Sequence, residues 1–257
     1  MSERVVLVTG CAQGIGFAVM EALLQQGKRV IATDKNIELL KENSAHLSEQ
    51  YPHHLRCDAL DLSQMEQIEA QIEQWQQDGG QITELVSCAG ILHLGPLHQM
   101  TLSEVKHTFE VNTFGTLALM QAIAYQMPHD QKPAMVIIGS NAANTPRPNM
   151  GAYGASKAAL HMMVKCFAIE LAEQGIRCNI VSPGSTLTKM QKQLWNDQYG
   201  EQQVIEGDSR TYRLGIPLQK LATPEEIAQS VLFLLSPAAS HITMHDLRVD
   251  GGATLDN

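Results

Sequence analysis

The chain has 257 residues, 44 % of them hydrophobic and 18 % charged, a composition too apolar for a disordered protein and sufficient to bury a sizeable core. Its 18 Lys and Arg against 27 Asp and Glu give a net charge of −9, which argues against nucleic acid or an anionic membrane surface as partner. No apolar run approaches the roughly 20 residues that span a bilayer, and the first residues pass directly into Val5-Val6-Leu7-Val8 without the pattern of a secretory signal. The five cysteines are scattered and read as reduced, small core residues, so a cytoplasmic protein is expected.

β-branched runs at 5–8, 29–33, 54–58, 84–88, 135–140, 177–182 and 247–249 alternate with amphipathic stretches at 17–26, 66–77, 112–126, 155–173 and 225–235. Strand and helix in alternation imply an α/β fold: a single-domain, Rossmann-type doubly wound sheet of about seven parallel strands with helices on both faces. No internal repeat or linker divides the chain, and one domain over 1–257 is expected. One long irregular stretch, 185–215, carries Met190, Trp195, Tyr199 and Tyr212 among polar residues. Long inserts of this kind are more often functional than idle, and this one is expected to be a lid over the substrate.

The first strand runs into Thr9-Gly10-Cys11-Ala12-Gln13-Gly14-Ile15-Gly16. Gly10, Gly14 and Gly16 allow a tight turn and close approach of the backbone, including that of Gln13 and Ile15, to a pyrophosphate at a helix N-terminus. Asp34 closes the second strand, where a carboxylate accepts hydrogen bonds from both ribose hydroxyls and repels a 2′-phosphate. This favours NAD over NADP; Lys35 is the counter-signal. Asp61-Leu62 suits an adenine contact, the N-cap of the next helix, or both. Small residues at Ala89 and Gly90 let a cofactor lie against the end of the fourth strand. Pro183-Gly184 carries the chain past the nicotinamide position, with Thr188 able to bind its amide.

Tyr153 and Lys157 stand four apart, on one face of a helix. A fixed ammonium beside a phenol favours the phenolate and lowers its pKa from about 10. Ser140, thirteen residues before the tyrosine, ends a strand and can deliver a hydroxyl to it. The glycine turn, Asn112, Ser140, Tyr153-x-x-x-Lys157 and Pro183-Gly184-x-x-x-Thr188 resemble, in order and spacing, the short-chain dehydrogenase/reductase family over essentially the whole chain. The resemblance implies that Tyr153 is the acid/base and that Lys157 lowers its pKa and binds the nicotinamide ribose. It also implies that Ser140 positions the reacting oxygen and that Asn112 holds a water in a relay through Lys157. Ser87-Cys88 departs from the family's usual asparagine, which puts local hydrogen bonding there in question.

Substrate choice falls to the loops at the strand ends. Arg147 lies six residues before Tyr153, in a loop stiffened by two prolines, where a guanidinium fork can clamp a carboxylate. Ser185 and Gln191 can bind hydroxyls or that carboxylate, and Met150, Met190 and Trp195 can cover a flat ring or simply pack the lid. Within the family these loops are similar to those of members that oxidise a cyclohexadiene diol carboxylate with NAD⁺ in catechol-siderophore biosynthesis. That similarity implies a small anionic cyclic diol acid as substrate, hydride removal from C3, and aromatisation that drives the reaction forward. The family is commonly tetrameric, which implies a homotetramer with residues 224–255 near one interface. A 3-oxoacyl-carrier-protein reductase or another alcohol dehydrogenase is the alternative enzyme, and a nucleotide-binding regulator without turnover the alternative class. No metal site is expected, because His241 and His245 flank a strand start with no cysteine at ligand spacing.

Overall fold

The structure is a computed structural model and describes residues 4–78, 81–196 and 199–255. Seven strands, β1 (Arg4–Thr9), β2 (Arg29–Asp34), β3 (Leu55–Ala59), β4 (Gln81–Ser87), β5 (Ala134–Ile138), β6 (Arg177–Pro183) and β7 (Asp246–Val249), form one parallel sheet in the order β3-β2-β1-β4-β5-β6-β7. Strand order reverses direction between β1 and β4, and a crevice opens at such a switch point beyond the carboxyl ends of the strands.

Alternate residues of each strand feed different cores, as a period of two requires. Val6, Val8, Val30, Val86 and Val136 face one layer, built by α1 (Gly14–Gln25), α2 (Ile37–Gln50) and α9 (Pro224–Leu235). Val5, Leu7, Ile31, Leu85 and Ile137 face the other, built by α3 (Met65–Gln77), α5 (Thr116–Ala124) and α6 (Gly151–Ala172). Burying each such side chain contributes about 1.5–3 kcal/mol. A one-residue slip would send every one of them to the wrong face, so the register of the strand ends, and with it the site, is firmly set.

Four helices escaped the sequence reading, two of them within the stretch 185–215. In α2 only Leu40, Ser44 and Leu47 are buried on an otherwise polar surface, and the helix starts where the Asn36 side chain accepts from Leu39 N at 3.1 Å. In α4 (Leu102–Phe109) a capping box, Thr101 with Glu104, supplies the start signal. The stretch expected as one helix over 112–126 is interrupted: Glu110–Gly115 is a π-helical turn leading into α5. Helix α6 begins at Gly151, four residues earlier than expected, which places Tyr153 within its first turn. The stretch 185–215 is less irregular than expected, since it holds α7 (Lys189–Lys192) and α8 (Glu201–Glu206); residues 197 and 198 lie outside the described residues. This stretch and the residues just after it share a small core of Val204, Ile205, Ile216 and Leu221, against which Trp195 and Tyr199 pack. The cysteines are not uniformly core: Cys11 and Cys178 are buried, Cys57 and Cys88 half-buried, and Cys166 lies exposed on α6.

Candidate active site

A cleft of about 910 Å³ opens at the carboxyl ends of the strands and runs from the glycine turn to the lid. At its nucleotide end the turn after β1 is pinned by side chains from two other elements. Asp34 Oδ2 accepts from Ala12 N at 3.0 Å and Oδ1 from Asn36 N at 2.9 Å, while Asn43 on α2 donates to the Ala12 carbonyl at 2.7 Å. Gly10 and Gly14 have φ of +71° and +63°, and a Cβ at Gly10 would stand 2.8 Å from Ala89 N. The N-cap of α1, Gln13, makes no side-chain capping bond, so the first N–H groups of the helix face the cleft beside Ile15 and Gly16. A Cβ at Gly90 would intrude to 3.3 Å from Asn112 Oδ1 and 3.7 Å from Lys157 Nζ. Donors without a side-chain cap, glycine-lined walls and a carboxylate at the end of β2 make a cradle that fits a dinucleotide.

Asp61 and Leu62 line the same end, but Asp61 does not cap α3. Its Oδ1 accepts from Ser63 N at 2.9 Å and Ser63 Oγ at 2.8 Å, a local turn, and Gln64 occupies the N-cap position without a side-chain bond. The bonding that the Ser87-Cys88 departure put in question is supplied by Thr9, whose Oγ1 accepts from Cys88 N and Ala89 N, both at 3.2 Å. Pro183 and Gly184 line the cleft beyond β6, and the Thr188 hydroxyl caps α7 by accepting from Gln191 N at 3.2 Å.

In the middle of the cleft Ser140, Tyr153 and Lys157 come together with Asn112. Ser140 follows β5 and accepts from Ala142 N at 3.1 Å, and its hydroxyl lies near enough to the Tyr153 phenol to favour the phenolate. Lys157 Nζ donates to the Ile138 carbonyl at 2.8 Å. Asn112 sits in the π-helical turn, a distortion frequent at functional sites. Its amide donates to the Ile91 carbonyl at 2.9 Å and to Ser156 Oγ at 3.1 Å, and its Oδ1 accepts from Ile91 N at 2.8 Å. With both amide hydrogens engaged, the side chain clamps the segment after β4 and can offer a water only acceptors.

At the lid end the cleft is lined by Arg147, Met150, Ser185, Met190 and Gln191. Arg147 donates to Asn141 Oδ1 at 2.9 Å, and Asn141 donates in turn to Asp250 Oδ2 at 3.1 Å. Among the described residues Gln191 Nε2 is a buried donor without a hydrogen-bond partner, which marks it as a group able to serve a bound acceptor.

A family model described as enoyl-(acyl carrier protein) reductase matches residues 10–254. The chain is 59 % identical over 252 residues to the vibriobactin-specific 2,3-dihydro-2,3-dihydroxybenzoate dehydrogenase of Vibrio cholerae, a match covering 98 % of this chain and 96 % of that protein. It is 45 % identical over 254 residues to the 2,3-dihydro-2,3-dihydroxybenzoate dehydrogenase of Bacillus subtilis, covering 98 % and 96 %. A solved short-chain glucose/ribitol dehydrogenase from Brucella melitensis superposes with a TM-score of 0.87 at 29 % identity, covering 99 % and 97 %. The chain belongs to the short-chain dehydrogenase/reductase family.

The electrostatics of this short-chain dehydrogenase/reductase differ from the expectation in one respect. Burial raises the Tyr153 phenol above its ordinary value, offset first by the Ser140 hydroxyl and then by the charge of Arg147. Lys157 is not among the groups that lower it here: its ammonium donates to the Ile138 carbonyl, and burial drops its own pKa to about 8. Burial and the nearby Arg213 push the Arg147 guanidinium down from its ordinary value, while Tyr153 and Asp250 work the other way.

Behind the site, sequence reasoning missed a polar support. His161, one turn beyond Lys157 on α6, accepts from Ser140 N at 3.3 Å and lies 3.1 Å from Asp246 on β7. A Cβ at Gly139 would collide with the imidazole, so that position admits only glycine. The signal for this support is tertiary: nothing in the spacing of residues 139, 161 and 246 links them. Among the described residues no three His, Cys, Asp or Glu side chains gather as metal ligands, and no helix is long and apolar enough to cross a membrane.

Proposed function

We propose that the protein oxidises 2,3-dihydro-2,3-dihydroxybenzoate to 2,3-dihydroxybenzoate with NAD⁺, in the route to a catechol siderophore. The observation that carries this reading is the placement of a half-buried Arg147 in the same cleft as the Ser140–Tyr153 pair and within electrostatic reach of the phenol. An anionic ring held by that guanidinium can present its C3 hydroxyl to the phenol. The relatives from Vibrio cholerae and Bacillus subtilis carry the name of this activity at 59 % and 45 % identity.

In this reading the glycine turn and the N-terminus of α1 hold the pyrophosphate, and Asp34 takes the adenosine ribose, favouring NAD over NADP. Ala89, Gly90, Pro183, Gly184 and Thr188 flank the nicotinamide ring, and Asp61 and Leu62 the adenine. When bound, the oxidised nicotinamide accepts the hydride that leaves C3 of the substrate. Ser140 donates to the reacting oxygen, and Tyr153 takes the proton of the C3 hydroxyl, general-base work worth about 10²–10⁴-fold. Lys157 holds the nicotinamide ribose and adds positive charge beside the phenol once its ammonium faces the cleft. Asn112 keeps the segment after β4 in place. Ser185 and Gln191 hold the carboxylate and hydroxyls, while Met150 and Met190 cover the ring under the lid. The dienone product then loses its C2 proton and tautomerises to the aromatic ring, which makes the oxidation effectively one-way. A homotetramer acting in the cytoplasm fits the family habit.

The test is direct. Protein, NAD⁺ and the dihydrodiol acid, mixed, give equal amounts of NADH and 2,3-dihydroxybenzoate. Turnover of a β-ketoacyl thioester with NADPH, and none of the diol acid, would overturn the reading.

A further inference from the structure

The lid brings a second guanidinium to the substrate end of the cleft. Arg213 follows α8, and its backbone pairs with Asp208 through Asp208 N to the Arg213 carbonyl at 3.0 Å and Arg213 N to the Asp208 carbonyl at 3.0 Å. This narrow bridge closes a loop that projects the side chain inward, where it lines the cleft together with Arg147. The guanidinium donates to the Tyr199 hydroxyl and lies 5.9 Å from the centre of that ring. Two neutral contacts hold the arginine in place and leave its charge uncompensated.

The acidic groups nearby are already engaged. Asp208 accepts from Arg210 N at 2.9 Å and from the Arg210 guanidinium. Asp250 accepts from Gly252 N, Thr254 N, Thr254 Oγ1 and Asn141. Among the described residues neither Arg147 nor Arg213 belongs to an ion pair. Arg147 stands in a partly desolvated pocket with Arg213 near enough to act on it as a like charge, an arrangement that an anion bound between them would relieve.

We propose that Arg213 is a specificity residue which, opposite Arg147, forms a two-guanidinium clamp for the substrate carboxylate. Arg147 is fixed on the body of the protein through Asn141; Arg213 rides on the lid. A carboxylate bound to both ties the lid to the body, so an anionic ligand closes the cleft over itself and a neutral ring does not. This inference rests on the proposed function, since it needs an anionic substrate.

The experiment compares wild type with Arg213→Gln and Arg213→Lys. It reads KM and kcat for the diol acid and for its neutral carboxamide, and the affinity of each NADH-bound protein for 2,3-dihydroxybenzoate by calorimetry. Arg213→Gln should raise KM for the acid and weaken product binding about ten- to a hundredfold, the worth of a charge-assisted hydrogen bond. KM for the carboxamide and the affinity for NADH should stay within about threefold, and Arg213→Lys, which keeps the charge but not the fork, should recover only part of the loss. Equal losses on acid and carboxamide, or no loss on either, would reduce Arg213 to a strut of the lid and overturn the inference. Collapse of the lid in Arg213→Gln would strike both ligands alike, so the acid-to-carboxamide ratio decides even then. A wild-type protein that does not turn over the diol acid refutes the function itself, whereas wild-type turnover with an unchanged Arg213→Gln ratio refutes only the clamp.

Discussion

The two ends of the cleft are built by different means. The nucleotide end is mostly backbone: two glycines at positive φ, helix N–H groups without a side-chain cap, strand termini, and one carboxylate braced by Ala12 N and Asn36 N. The substrate end is side chains from separate segments, with Arg147 after β5, Gln191 on α7 and Arg213 beyond α8. Backbone geometry is dictated by a short run of sequence, so the first end is a shared device of the fold. Side-chain convergence needs several loops to agree, so the second end is where one member can differ from another.

The largest expected effect lies where the two ends meet. Tyr153→Phe should lower kcat about a thousandfold while NAD affinity stays within about twofold, measured by steady-state kinetics and dinucleotide titration. Retained turnover would remove the phenol from the proton transfer. Next comes Asp34→Ala, which should cut the preference for NAD over NADP about tenfold by removing a ribose acceptor and a source of repulsion toward the 2′-phosphate. An unchanged ratio of kcat/KM values for the two cofactors would show that the turn, rather than the carboxylate, selects the cofactor.

His161→Leu tests the support behind both ends. It leaves Asp246 on β7 without its imidazole partner and frees Ser140 N, and should cost about 1–3 kcal/mol of stability in denaturant titrations. A stability equal to wild type would mean that the imidazole fills space only. A further expected effect is on pH. Burial holds Lys157 at about 8 in the folded protein against an ordinary value of 10.5. Between those values the unfolded chain keeps a proton that the folded protein has released, so raising the pH favours the folded state. Melting curves should show the cofactor-free wild type gaining on Lys157→Met from about pH 8 to 10.5. Parallel curves would place the ammonium in water.

The same contrast explains what the sequence disclosed. Most of the seven strands were legible as short β-branched runs with turn residues at their ends, whereas β3, without a β-branched residue, was legible from its place in the alternation; the glycine turn with Asp34 followed from its place after β1. The Ser140–Tyr153 contact was legible because a strand end and a helix start only thirteen residues apart have few ways to meet. Helix α2 was hidden by its polarity, since three buried residues on fourteen leave a weak stripe. The direction of the Tyr153 shift was hidden because desolvation depends on burial by distant elements, whereas spacing reveals only the neighbouring ammonium. His161 with Asp246 and Arg213 with Arg147 were hidden for the same reason: each pair is joined only by tertiary packing. Arg213 lies in the stretch expected to be the lid, but nothing local distinguishes it from the exposed Arg210.

The most direct test of the division between a backbone-built nucleotide end and a side-chain-built substrate end is Arg147→Ala assayed on two substrates, the diol acid and an uncharged cyclic alcohol. The account predicts that KM rises about ten- to a hundredfold for the acid, changes little for the alcohol, and leaves NAD affinity intact. Equal losses on both substrates would contradict it, because Arg147 would then be part of the scaffold and not a binder of the carboxylate.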